Sequence, residues 1–157
     1  FAIIRKNTGV AKVDYVAKFV NEVSQDGELP VVIFAYHRDV IDRLREVYPN
    51  AAYIMGGMSS KERNRQVDLF QNGDTNIFIG NIDAAGEAVT LTRSNILVFA
   101  EMDWRATAMI QARKRIHRIS QDKPCTAYYL CAAKSFDYYV SKKAFRKMEN
   151  IKTTLDI

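Results

Sequence analysis

Arg115 and Arg118 stand one helical turn apart in the run Gln111-Ala-Arg-Lys-Arg-Ile-His-Arg-Ile-Ser-Gln121. Two guanidinium groups at that spacing suit the binding of phosphate oxygens. Arginine stays charged, and its planar fork can hold two oxygens at once. Read as a helix at about 100° per residue, the run has two faces. Met109, Ala112, Ile116 and Ile119 form an apolar stripe, while Gln111, Arg115 and Arg118 line a second face with Lys114 beside them. Such a segment docks on a core with one side and aims positive charge with the other. Between Arg105 and Lys123 there are six basic residues against one acid, Asp122. The plainer reading of a charge run is a solvated helix face. The arginines' shared side argues for anion binding.

The elements that must position these groups alternate between helix and strand. Val13, Val16, Val20 and Val23 repeat at helical spacing, which predicts a helix over about 11–25, stopped by Gly27 and Pro30. Val31-Val-Ile-Phe-Ala35 is a continuous apolar run that suits a strand covered on both faces. A helix marked by Val40, Ile41 and Leu44 follows, then a second strand, Ala52-Tyr-Ile-Met55. Ser59 with Glu62 three residues later is a capping-box signature opening a helix to about Gln71. Asn76–Ile79 and Ile96–Ala100 read as further strands, followed by the arginine helix, a strand near Thr126–Cys131 and a helix over Phe136–Glu149. This pattern predicts an α/β fold built of parallel βαβ units with helices on both faces of the sheet. Residues 1–157 form a single domain on this reading, with 1–10 and 151–157 as linker or extension.

Open parallel sheets bind ligands at the carboxyl ends of their strands. There the sequence places Tyr36 and His37 after the first strand and Gly56, Gly57, Met58 and Ser59 after the second. Asn81, Asp83 and Gly86 follow the third, and Glu101, Met102, Asp103 and Trp104 the fourth. Ser59 and Asn81 could donate to backbone phosphates, or serve only turn and cap chemistry. Tyr36 and His37 could touch nucleic acid or cap the next helix. Trp104 reads as a packing anchor rather than a base-stacking group.

Composition bounds the partners. Hydrophobic content of 48% and charged content of 26% are ordinary for a globular domain. No apolar run approaches the roughly 20 residues needed to cross a bilayer, so no membrane partner is expected. The net charge of +5 favours an anionic partner. Cys125 and Cys131 lie in one expected strand, with Cα atoms about 20 Å apart. A disulfide needs less than about 7 Å, so they are expected to be reduced core residues of an intracellular protein. Neither histidine sits in a ligand pattern, and no metal site is expected.

The run Gln111–Gln121 resembles the last conserved motif of superfamily 2 helicases, in the form used by Swi/Snf-type DNA translocases. Arg115, His117, Arg118, Ile119 and Gln121 fall on matching positions, with Arg113 and Lys114 in place of an acidic pair and Ser120 in place of a glycine. Val31–His37 stands where that family has its motif four, and Gly57-Met-Ser-Ser-Lys-Glu-Arg63 resembles the stretch that follows it. Asp83–Leu91 resembles motif five, with Ala85 and Ala88 where glycines are common. Phe99-Ala-Glu-x-x-Trp104 followed by Met109-Ile-Gln111 is similar to the annealing-helicase branch, with Arg105-Ala106 in place of Asn-Pro.

The resemblance implies the second lobe of a RecA-like pair: a three-layer sandwich with a mostly parallel central sheet. It implies that Arg115 and Arg118 reach ATP phosphates across a cleft, assisted by Gln111, with Gly86 and Glu87 near the ribose. Tyr36, His37, Gly57, Ser59 and Asn81 would meet nucleic-acid phosphates, DNA rather than RNA. No Gly-x-x-x-x-Gly-Lys-Ser/Thr loop or acidic metal-holding strand end occurs in the chain. The expected partner is therefore an N-terminal lobe that holds ATP and Mg2+, and this chain alone is expected to be inactive. Two other readings stand beside this one. A degenerate RecA-like module could bind nucleic acid or a protein without ATP turnover. A Rossmann- or flavodoxin-like enzyme would need a glycine loop after the first strand, where Tyr36-His37-Arg38 offers none.

Overall fold

The computed structural model describes residues 1–84 and 89–155, with side chains up to residue 151. Five strands, β1 (Val31–Ala35), β2 (Ala52–Ile54), β3 (Ile77–Asn81), β4 (Ile96–Phe99) and β5 (Thr126–Tyr129), form one sheet in the order β2-β3-β1-β4-β5. Every pairing among them is parallel. The helices are α1 (Ala2–Ala11), α2 (Val13–Val23), α3 (Arg38–Val47), α4 (Ser60–Gln71), α5 (Ala106–Arg113) and α6 (Phe136–Leu155).

β1 sits at the centre and explains its own sequence. Val32 and Phe34 face a cluster shared with Phe70 of α4, Met109 of α5 and Val140 of α6. Val31, Ile33 and Ala35 face the other cluster, with Val16 and Val20 of α2 and Ile41 and Leu44 of α3. A strand covered on both sides has no polar position, so it reads as an uninterrupted apolar run. α4 begins as expected, with Ser59 Oγ accepting from the Glu62 N–H at 3.1 Å. α2 ends at a left-handed turn in which Gln25, Asp26 and Gly27 have φ of 51°, 56° and 90°.

Three expectations are corrected. The arginine helix stops at Arg113, and Arg115 and Arg118 lie on turns beyond it. Ile119 is fully exposed and takes no part in the apolar stripe. The orphan carbonyls that this helix end leaves are met by the turn that follows it. Lys114, Arg115 and His117 N–H groups donate to the Ile110, Ala112 and Arg113 carbonyls at 3.2, 3.1 and 3.4 Å, while the turns beyond are held by Leu91 N–H on the Arg115 carbonyl at 2.9 Å and Gln121 Nε2 on the Ile116 carbonyl at 3.1 Å. Second, the expected helix over 11–25 is the shorter α2, and it is preceded by α1 (Ala2–Ala11), which lies against α3 and α6. Third, Cys131 lies beyond β5 and is exposed, while Cys125 is half-buried.

Tyr48 joins α3 to α2: its hydroxyl lies 3.1 Å from the Ala17 carbonyl and 2.9 Å from Asn21 Oδ1. Burial pushes this phenol up to about 12, from an ordinary 10.0. The folded protein holds that proton more tightly than the unfolded chain. The stabilisation is therefore complete below pH 10 and is lost as pH rises toward 12. Denaturant unfolding of Tyr48→Phe should show a flatter alkaline decline across that window than the parent. Superimposable curves would remove Tyr48 as its source.

Candidate functional site

The arginine turn is built from two segments. Thr90 and Leu91 come from the approach to β4, and Gln111, Lys114, Arg115 and Arg118 from the end of α5 and the turns after it. Gln121 clamps the two together through Nε2 donations to the Thr92 and Ser94 carbonyls at 2.9 and 2.8 Å. Arg115 is 5% exposed, yet its Nε has no hydrogen-bond partner among the described residues. Its Nη2 makes only a long 3.5 Å contact with Gln111 Oε1. Arg118 donates to Thr90 Oγ1 at 3.0 Å. Burial first, and then the neighbouring Arg118 charge, lower the Arg115 pKa, although an arginine stays charged at ordinary pH. No carboxylate among the described residues forms a salt bridge with either arginine. A buried cation without a counter-charge is costly unless a partner arrives. These side chains line an open depression, and their donor set fits a polyphosphate. Gly86 and Glu87, expected near a ribose, lie outside the described residues.

A second cluster sits at the carboxyl ends of the strands. The chain leaves β1 toward β2 and leaves β4 toward β5, so the crevice between β1 and β4 is the topological switch point. Glu101 fills it, 1% exposed. Its Oε2 accepts from the Tyr36 and His37 N–H groups at 2.9 and 2.8 Å, and its Oε1 lies 2.7 Å from His37 Nδ1. An ionised carboxylate only accepts, so His37 Nδ1 carries the proton. His37 is also the N-cap residue of α3, without a side-chain cap bond. Asn81 donates through Nδ2 to the Tyr36 carbonyl at 2.8 Å, and its Oδ1 accepts from the Asp83 N–H at 2.9 Å. Its amide thus holds two loops together at both of its ends. Gly57, with φ of 86°, and Ser59 are exposed on the loop after β2. The Ser59 oxygen caps α4, and its hydroxyl proton is not used by that bond.

The structure therefore groups Tyr36, His37 and Asn81 directly and puts Gly57 and Ser59 on the same edge. The arginines are grouped with Gln111 but apart from that edge. No hydrogen bond or ion pair among the described residues joins the two clusters. Three contributors were not foreseen. Glu101 is the hub of the strand-end cluster. Gly9 of α1 lies so close to it that a Cβ there would be 2.5 Å from Glu101 Oε1. Arg105 pairs with Asp103 and with Asp83, tying the loop after β4 to the loop after β3. Only the polar character of the 101–105 loop hinted at these roles, because the partners are distant in sequence.

Comparison with known proteins places this arrangement. The helicase conserved C-terminal domain matches residues 11–120. The chain is 32% identical over 156 residues to the DNA annealing helicase and endonuclease ZRANB3 of Homo sapiens, a match covering 96% of this chain and 14% of that protein. It is also 32% identical over 123 residues to the SWI/SNF-related matrix-associated actin-dependent regulator of chromatin subfamily A-like protein 1 of Drosophila melanogaster, covering 75% of this chain and 16% of that protein. The chain thus spans roughly one-seventh of the length of these relatives. Among solved structures, the C-terminal part of the Fun30 ATPase domain superposes with a TM-score of 0.77 over 85% of this chain and 44% of that one, at 24% identity, and shares the RecA-like fold. With most of its residues inside the matching model, the chain belongs to the helicase conserved C-terminal domain family, in the company of SWI/SNF-type helicase-like ATPases.

Proposed function

We propose that the chain is the second motor lobe of an ATP-dependent nucleic-acid translocase, joined in use to an N-terminal lobe that binds ATP and Mg2+. The observation that carries this reading is the buried Arg115, uncompensated among the described residues, beside Arg118 over an open depression. Arg115 and Arg118 act as arginine fingers on charge developing at the transferred phosphoryl group, and Gln111 steadies Arg115. On this reading the ribose is assigned to Gly86 and Glu87. The bound Mg2+ would neutralise phosphate charge from the other lobe. Tyr36, His37, Gly57 and Ser59 meet the phosphates of the track, and Asn81 keeps the Tyr36 loop in place for them. The relatives' names favour DNA over RNA as that track, and work on DNA favours an intracellular setting. Among the described residues no helix is long and apolar enough to cross a membrane.

ATP turnover is thereby coupled to movement: the fingers bind this lobe to the nucleotide in one state and release it in the next. A binding module without turnover would gain nothing from a buried, uncompensated guanidinium. The test is ATP hydrolysis by the full-length protein with and without DNA across a salt series. Turnover should rise at least about tenfold with DNA, and the DNA concentration for half-stimulation should climb steeply with salt, as phosphate contacts require. Turnover indifferent to any nucleic acid would defeat the proposal.

A further inference from the structure

The outward face of α6 takes no part in the sites above, and its composition is unusual. Its inward residues, Asp137, Val140, Ser141, Ala144 and Met148, are buried. On the opposite side Tyr139, Lys142, Lys143 and Arg146 follow one another at i, i+3, i+4 and i+7, all exposed. Those positions fall on one stripe about 10 Å long. Lys147 flanks it, with Nζ 3.5 Å from the Trp104 carbonyl. The acid in the first turn of α6, Asp137, is buried in a pair with Lys12 and lies away from the stripe, and Glu149 follows one turn beyond Arg146. Tyr139 is 47% exposed and Tyr138 51% exposed. Lys143 Nζ lies 4.8 Å from the Tyr139 ring centre and 5.9 Å from that of Trp104.

The stripe is continuous with the strand-end edge. Arg5 of α1 stacks 4.2 Å over Tyr36 and 5.9 Å from Trp104, and Trp104 packs edge-on against Tyr139 at 6.2 Å. Arg5 is itself buried and donates to the Met102 carbonyl, so it backs the rings, and the cations open to a ligand beside them are those of α6. Rings beside cations recognise a single-stranded nucleic acid: a base stacks on a ring, and the next cation takes the adjoining phosphate.

We infer that Tyr139, Lys142, Lys143 and Arg146 on α6 form a second nucleic-acid contact, for a single strand leaving the strand-end edge. The inference goes beyond the proposed motor function and uses it only for where that strand begins. The test is binding of a fluorescent single-stranded oligonucleotide and of a blunt duplex to the full-length protein, without ATP, over a range of salt. Changing Lys142, Lys143 and Arg146 together to Ala should weaken single-strand binding at least about tenfold at low salt and reduce the log–log salt slope by about 2. Tyr139→Ala should weaken single-strand binding at least about fivefold while sparing the duplex, and Tyr139→Phe should restore it. The exposed positions make loss of folding an unsuitable explanation, and an unchanged thermal midpoint checks that. Unchanged affinity and slope would overturn the inference, as would equal losses on single strand and duplex. Arg118→Ala, measured alongside, should leave this affinity intact. An absence of ATP turnover in the parent would count against the motor and not against the stripe.

Discussion

Arg118→Ala in the full-length protein is expected to lower DNA-stimulated ATP turnover by at least about 100-fold while scarcely changing the unfolding midpoint. The first half follows from what an arginine finger supplies, about 10³–10⁵ in rate for related phosphoryl transfers. The second follows from the side chain's setting. Arg118 is half-buried, and among the described residues its side chain makes one hydrogen bond, to Thr90 at 3.0 Å. Such a bond is worth about 0.5–1.5 kcal/mol net. A finger acts on charge that develops in the transition state, so kcat should fall while KM for ATP changes little. Arg115→Lys separates charge from shape at the neighbouring position. It keeps the cation but loses the planar fork, and should cost turnover at least about tenfold. Near-normal turnover in Arg118→Ala would end the finger assignment.

Whatever depended on local pattern was legible in the sequence. β1 was readable because both its faces are buried, and α4 because its cap is a bond between neighbours, Ser59 and Glu62. The arginine pair was legible as anion chemistry, but the end of its helix was not. Ile116 keeps the helical apolar spacing and is buried, although it sits on a turn. What holds the turns after the helix is Leu91 and Gln121 meeting the Arg115 and Ile116 carbonyls, which no helical period reports. The same holds for Glu101. It reads as one more polar residue after a strand, but its donors, Tyr36 and His37, lie 65 and 64 residues away. α1 carries no motif that matches the family, and Gly9 and Arg5 acquire meaning only once Glu101 and the Met102 carbonyl are beside them.

The longest-range of these links should also be the most expensive to break. Lys12, between α1 and α2, places Nζ 2.5 Å from Asp137 Oδ2 in the first turn of α6, across 125 residues of sequence. Their side chains are only 8% and 5% exposed. Each partner has a second bond: Lys12 Nζ donates to the Leu130 carbonyl at 2.7 Å, and Asp137 Oδ2 accepts from the Ala132 N–H at 3.1 Å. Asp137 also stands where a negative charge favours a helix start. Removing either partner strands the other as a buried charge, at about 3–5 kcal/mol. Lys12→Met and Asp137→Asn should each lower the domain's thermal midpoint by at least about 6 °C, given roughly 2–4 °C per kcal/mol in this size range. The double variant strands no charge, so it should lose much less than the sum of the singles. The effect should persist in high salt, because a buried pair is poorly screened. Additive losses, or singles within about 1 °C of the parent, would mean that water reaches the pair and that α1 and α2 are held to α6 by apolar contact alone.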